Sequence, residues 1–233
     1  MPKRKATAPP AAPIPKRKAE AQGQSARLTP SSSSQQRSTC PLFVLAHAAG
    51  HHPAGSKHPS MQRWAEALKR FGEVDDSLVY PKPFNLMARL VDAHAKAVSK
   101  AVERGHTRPV ILVGVGMGGR VALHMLSGVA GDDGKPLGAV SDDLKACVKA
   151  CVLIDYPLLR VGSREVRSAP LLAIDRQPLL FVRGPGDKHM DATKLPLKRM
   201  KTRALEYVVE GKSEVASDAD MAAVVECIID MCA

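Results

Sequence analysis

Residues 110–126 read VILVGVGMGGRVALHML. An uncharged, largely β-branched run enters a turn with glycine at four of six positions, 114–119, and leaves it as residues spaced for a helix. No other stretch constrains the fold so tightly. A strand apolar on both alternating faces is buried on both, which is the signature of a parallel sheet with helices above and below. Glycine allows the backbone to turn at positive φ and lets strand and helix approach closely. The stretch therefore predicts a βα corner inside an α/β domain.

The rest of the chain repeats this alternation. Leu42–Ala46 is a buried-strand run ending in His47-Ala-Ala-Gly50, and Met61, Trp64, Leu68 and Phe71 follow at helical spacing behind Pro59-Ser60. Ser77–Tyr80 is expected as a second strand, stopped by Pro81, and Leu86 to Gly105 as a long amphipathic helix. Further strands are expected at Ala150–Asp155, Leu179–Val182 and Leu205–Val209, and helices at Leu195–Met200 and Asp218–Met231. The predicted fold is α/β: a three-layer α/β/α sandwich around a mostly parallel six-stranded sheet. Aromatic residues make up only 3% of the chain, so its core must be aliphatic.

Residues 1–39 differ in texture. Rich in Pro, Ala and Ser, without periodicity, they are expected to form a disordered tail ahead of a domain at 40–233. They carry eight Lys/Arg and one Glu, which leaves only +4 of the net +11 to the remainder. Pro2-Lys3-Arg4-Lys5 recurs as Pro15-Lys16-Arg17-Lys18, and twin basic clusters on a flexible segment read as a nuclear-import signal engaged by importin. The alternative is a solvated basic tail that merely grazes nucleic acid or acidic surfaces. The expected location is the nucleus, with some protein in the cytoplasm. No apolar run nears the ~20 residues of a membrane span, and the N-terminus lacks the apolar core of a signal peptide. Five scattered cysteines offer no zinc spacing, so neither a metal nor a cofactor is expected.

Two readings compete for the glycine turn. Gly114-Val-Gly116-Met-Gly118-Gly119 contains a dinucleotide-like pattern, yet the acid that should close it, Asp155, lies 36 residues beyond Gly119. A Walker loop is excluded because no Lys-Ser/Thr follows. A nucleophile elbow fits better: small residues at Gly114 and Gly118 flank the nucleophile position, which is Gly116. Upstream, His47-Ala48-Ala49-Gly50 is placed as an oxyanion loop; downstream, Phe181-Val-Arg-Gly-Pro-Gly-Asp187 carries an acid after a strand.

With these residues assembled, residues 41–233 resemble an α/β-hydrolase of the small dienelactone-hydrolase-like branch. That branch includes the testis-expressed and NSL-complex subunit 3 hydrolase-like domains, the latter associated with a histone acetyltransferase. The resemblance rests on His47-Ala-Ala-Gly50, Trp64, Gly114-Val-Gly-Met-Gly-Gly-Arg120, Tyr156-Pro-Leu158, Phe181 to Asp187 and Gly211-Lys-Ser213. It implies a catalytic serine at position 116, a histidine at position 212 and an acid at Asp187. The chain has Gly116, Lys212 and Asp187. It also implies a domain shorter than full hydrolases, since 1–39 is read as tail where the usual leading antiparallel strands would lie.

Covalent acyl transfer needs a nucleophile, a base and a group to orient the base, and only the third stands. The expectation is therefore a catalytically inactive hydrolase-fold protein acting as a nuclear interaction module. Its partner would be a protein, chromatin-associated as its relatives are, with no membrane and no sequence-specific nucleic acid. Two alternatives stay open. One is an active serine-type carboxylester hydrolase with a displaced nucleophile, for which Ser213, His51, His52, His58 and His189 were the residues to weigh. The other is a small-anion sensor using the amides of Met117 and of the His47–Ala48 loop at a helix N-terminus.

Overall fold

A computed structural model describes residues 40–105, 108–160, 165–185, 187, 195–211 and 216–232. Six strands form one sheet in the order β2-β1-β3-β4-β5-β6, and every pairing is parallel. They are β1 (Leu42–Ala46), β2 (Glu73–Asp75), β3 (Val110–Val115), β4 (Val148–Ile154), β5 (Leu179–Arg183) and β6 (Ala204–Val208). The helices are α1 (Pro59–Lys69), α2 (Met87–Gly105), α3 (Met117–Ser127), α4 (Asp142–Cys147), α5 (Ala169–Ala173) and α6 (Asp218–Cys232). The α/β class, the six strands and the helices on both faces agree with the sequence; the sheet is wholly rather than mostly parallel.

Each central strand serves two cores at once. Alternate residues of β1, β3 and β4 face α2, α3 and α5 on one side and α1 and α6 on the other. This explains the unbroken apolar runs: β1 and β3 are buried at every position. The chain's single Trp, Trp64, is buried between α1 and the sheet.

Two expected elements are corrected. Ser77–Tyr80 is not a strand; β2 lies earlier, at Glu73–Asp75. The Asp75 carboxylate accepts from the Ser77 amide at 3.0 Å and from its hydroxyl at 2.6 Å, and this local turn leads the chain off the sheet edge. Arg104 of α2 forms an ion pair with the same carboxylate. The helix expected at Leu195–Met200 shrinks to one 3-10 turn, Leu197–Arg199, entered through Pro196, which has no amide to donate. Residues 1–39, and with them the tail, the import clusters and the question of leading antiparallel strands, lie outside the described residues.

Candidate functional site

Strand β3 passes into α3 through Gly116 at φ 52°, ψ −111°. Its amide donates to the carbonyl of Ile154 on neighbouring β4 at 2.7 Å, pinning the turn to the C-terminal end of the sheet. The first helical bond runs from the Arg120 amide to the Gly116 carbonyl at 3.2 Å. The amides of Met117, Gly118 and Gly119 thus have no acceptor within α3 and lie at its positive end.

The glycines around Gly116 are there for space. A Cβ on Gly114 would fall 2.2 Å from the Gly119 nitrogen, and one on Gly118 would fall 2.3 Å from the Ala46 carbonyl oxygen. Strand, turn and helix cross so closely that any side chain would force them apart. Gly116 is different. A Cβ there would meet only the Ala48 Cβ at 3.4 Å and the Asp155 carbonyl at 4.0 Å, so space exists and only the positive φ resists a side chain. The elbow geometry expected from sequence is present, with its central side chain missing.

Opposite the elbow lies the loop after β1. His47 is buried, and its Nδ1–H donates to the Ala48 carbonyl at 2.9 Å while its Nε2 accepts from the Tyr80 amide at 3.4 Å. Both ring nitrogens are engaged in bracing the loop, and burial pushes the pKa of His47 down. The Ala48 side chain is what closes on Gly116. Behind His47, the Tyr80 hydroxyl and His94 Nδ1 are hydrogen-bonded at 2.9 Å in the core, where burial lowers His94 to about 4.

The loop histidines differ in exposure, His51 being buried and His52 and His58 half-buried. The His51 ring stacks on His58 with centroids 3.9 Å apart, and the Ser60 hydroxyl reaches the edges of both rings. The Ser60 hydroxyl is 2.8 Å from His58 Nδ1 and 3.4 Å from His51 Nε2. Burial, reinforced by the neighbouring His58 and His47, lowers His51 to about 4. Among the described residues, Ser60 is the one serine hydroxyl hydrogen-bonded to an imidazole in this structure. Sequence reasoning passed over Ser60 because it stands at a helix start, where serine is ordinary.

Asp155, which ends β4 beside the elbow, was also undervalued. It is the one non-glycine with positive φ among the described residues, at 49°. Backbone in that region costs an L-residue roughly 1–2 kcal/mol, least for Asp and Asn. Asp187 sits half-buried in the turn after β5, its amide donating to the Gly184 carbonyl at 3.4 Å. Lys212, Ser213 and His189 lie outside the described residues. Nearby, Arg120 of α3 and Arg167 hold the two oxygens of Asp132 at 2.9 and 2.8 Å. Burial alone would raise the Asp132 carboxyl, but the hydrogen bond from Arg167 and the charge of Arg120 outweigh it and keep it below the usual range. This clamp ties the first turn of α3 to the loops that follow α3 and β4. No group of three or more His, Cys, Asp or Glu among the described residues is placed to hold a metal ion. None of the described helices is long and apolar enough to cross a membrane.

A family model described as "Alpha/beta hydrolase domain" matches residues 39–220. No curated protein matches the chain in sequence. Solved structures with the same fold include a dienelactone hydrolase from Anabaena variabilis, 14% identical, with TM-score 0.60, covering 83% of this chain and 85% of that one. Est1E from Butyrivibrio proteoclasticus is also 14% identical with TM-score 0.60, over 85% of this chain and 90% of its own. Thermogutta terrifontis esterase 2, solved phosphonylated by sarin, is 15% identical with TM-score 0.53, over 83% and 84%.

Proposed function

The chain belongs to the alpha/beta hydrolase domain family, and from that premise we propose that it is a non-catalytic member, retained as a nuclear protein-interaction module. One observation carries the reading. At the tip of an intact elbow, where the resemblance to the testis-expressed and NSL-complex subunit 3 domains implies a serine, the chain has Gly116 at φ 52°. A nucleophile held there stores strain of about 1–3 kcal/mol; glycine releases it and leaves no hydroxyl. Lys212 in place of the implied histidine removes the base as well. The import clusters at Lys3-Arg4-Lys5 and Lys16-Arg17-Lys18 support the nuclear half of the proposal, and the chromatin-associated relatives suggest the class of partner.

The test is reconstruction. The parent protein should hydrolyse an activated ester no faster than a heat-killed control, and Gly116→Ser alone should stay inert for want of a base. Gly116→Ser with Lys212→His should recover measurable turnover if Asp187 still orients the ring. For localisation, neutralising both basic clusters in a large fluorescent fusion should disperse it into the cytoplasm; an unchanged nuclear signal would refute that part.

A displaced nucleophile is the second reading, favoured by Ser60 and its 2.8 Å bond to His58. In it the Ser60 oxygen attacks the ester carbonyl, His58 takes the proton and returns it to the departing alkoxide, and water then hydrolyses the acyl-serine. A serine-directed phosphonate decides the matter: a labelled Ser60 establishes this reading, and an unlabelled chain leaves the non-catalytic one.

A further inference from the structure

The end of the sheet opposite the elbow carries a row of cations that the proposed function does not use. Residues 195–205, LPLKRMKTRAL, contain four cations and no acid. The pattern is sided. Leu195 is buried and Leu197 and Met200 pack on the core, while Lys198, Arg199, Lys201 and Arg203 are exposed. Neighbouring loops place more cations beside them. The Thr202 hydroxyl donates to the Gln177 carbonyl at 2.9 Å, which sets Lys201 and Arg203 next to Arg176. The Gln177 side chain in turn donates to the Lys145 carbonyl at 3.0 Å, reaching the segment that leads to exposed Lys149 at the start of β4. Strands β4, β5 and β6 are adjacent and parallel, so the segments that enter them lie side by side at this end of the sheet.

The cations are not spent on one another's neighbours. Asp175 stands beside Arg176 and Asp142 pairs with Lys145, but Arg176, Lys198, Arg199 and Lys201 enter no ion pair among the described residues. Arg203 reaches only the Asp230 carbonyl, at 3.5 Å. A solvated row of cations costs self-repulsion that a polyanion would relieve.

We propose that this face docks the phosphate backbone of duplex nucleic acid, without reading its sequence. Three features choose that partner. The segment has no aromatic side chain on which unpaired bases would stack, which argues against single strands. Its large apolar residues point inward; the exposed ones are Val79, Val208 and Ile229, none of them in it, so it lacks the wedge a membrane surface would take up. It equally lacks the buried aromatic or apolar anchor around which a protein interface is built. What remains is a cluster of exposed charge at one end of the sheet, mixed Arg and Lys, suited to repeated phosphates.

Fluorescence anisotropy of the full chain with two unrelated 20-base-pair DNA duplexes across a potassium chloride series tests this. Both duplexes should bind equally, and the affinity should fall steeply with salt. Replacing Lys198, Arg199, Lys201 and Arg203 by Gln should reduce the slope of log K against log salt by about 3–4, since each phosphate contact contributes about 0.9. A second variant, Lys149→Gln with Arg176→Gln, leaves the 195–205 segment untouched and should reduce it by about 2. Neutralising the six cations of the tail clusters separates their share. If both face variants keep the parent's slope and only the tail variant loses it, the proposal is overturned. Tighter binding to polyglutamate, or to phosphatidylserine vesicles, than to the duplex at equal salt overturns it too.

Discussion

Two turns meet at the C-terminal end of the sheet, and they are built in opposite ways. The β3–α3 turn is poor in side chains: at Gly114, Gly118 and Gly119 backbone packs directly on backbone, and Gly116 between them adds none. The β1–α1 loop it touches through Ala48 is crowded with imidazoles, at His47, His51, His52 and His58, with the Tyr80–His94 pair behind. The first turn is held by sterics and is indifferent to pH. The second contains His47 and His51, whose burial favours the neutral ring, so its packing responds to acid. A catalytic centre needs a hydroxyl and a base within reach of one another; at these two turns the imidazole of His47 braces its own loop, and Gly116 offers no hydroxyl.

The sharpest way to break the comparison is to put a side chain into the stripped turn. Gly114→Val or Gly118→Val sets carbon within 2.2–2.3 Å of backbone that cannot yield. Either should cost several kcal/mol, at the upper end of ~1–3 for overpacking or beyond it, and should be read as loss of soluble folded protein or a collapsed melting transition.

Acid attacks the other turn. Burial holds folded His51 and His94 near 4, below the roughly 6.5 of an unfolded histidine. Between those values the unfolded chain binds more protons, so stability is lost as pH falls from 6.5 toward 4. Fully buried His94 should contribute at most about 1 kcal/mol per pH unit in the middle of that window. His94→Gln should flatten the pH dependence of the melting temperature, whereas Gly-turn variants should leave its shape unchanged.

Smaller effects sharpen the distinction within the elbow. Gly116→Ser fits sterically and should fold, losing about 1–3 kcal/mol by chemical denaturation from its positive φ alone. A loss as large as that of Gly118→Val would mean the site is closed rather than merely strained. Asp155→Ala, at the second positive-φ position, should cost about 1–2 kcal/mol, because alanine tolerates left-handed backbone less well than aspartate; no change would show that Asp155 bears no strain there.

Much of this was legible in the chain. The doubly apolar runs of β1, β3 and β4 announced a covered parallel sheet, and glycine spacing announced the elbow down to which residue occupies its tip. Boundaries were less legible. Ser77–Tyr80 has strand composition, yet the Asp75 side chain intercepts the Ser77 amide and the sheet ends earlier. Leu195–Met200 has helical spacing, yet Pro196 and a surface location leave a single turn. Composition reports what a segment prefers, and a competing local hydrogen bond decides whether it is allowed.

The sequence by itself determined the α/β class, the elbow with no nucleophile at Gly116 and the uneven placement of charge, because periodicity, glycine spacing and residue identity are local properties. Only the tertiary structure decided which polar groups share a space. It brought the Ser60 hydroxyl to the ring edges of His51 and His58, placed Asp155 beside Gly116, and gathered cations from the segments entering three strands at one end of the sheet. Such meetings join residues far apart in the chain or turned together by packing, and no pattern along one strand of sequence encodes which neighbours burial will force upon it.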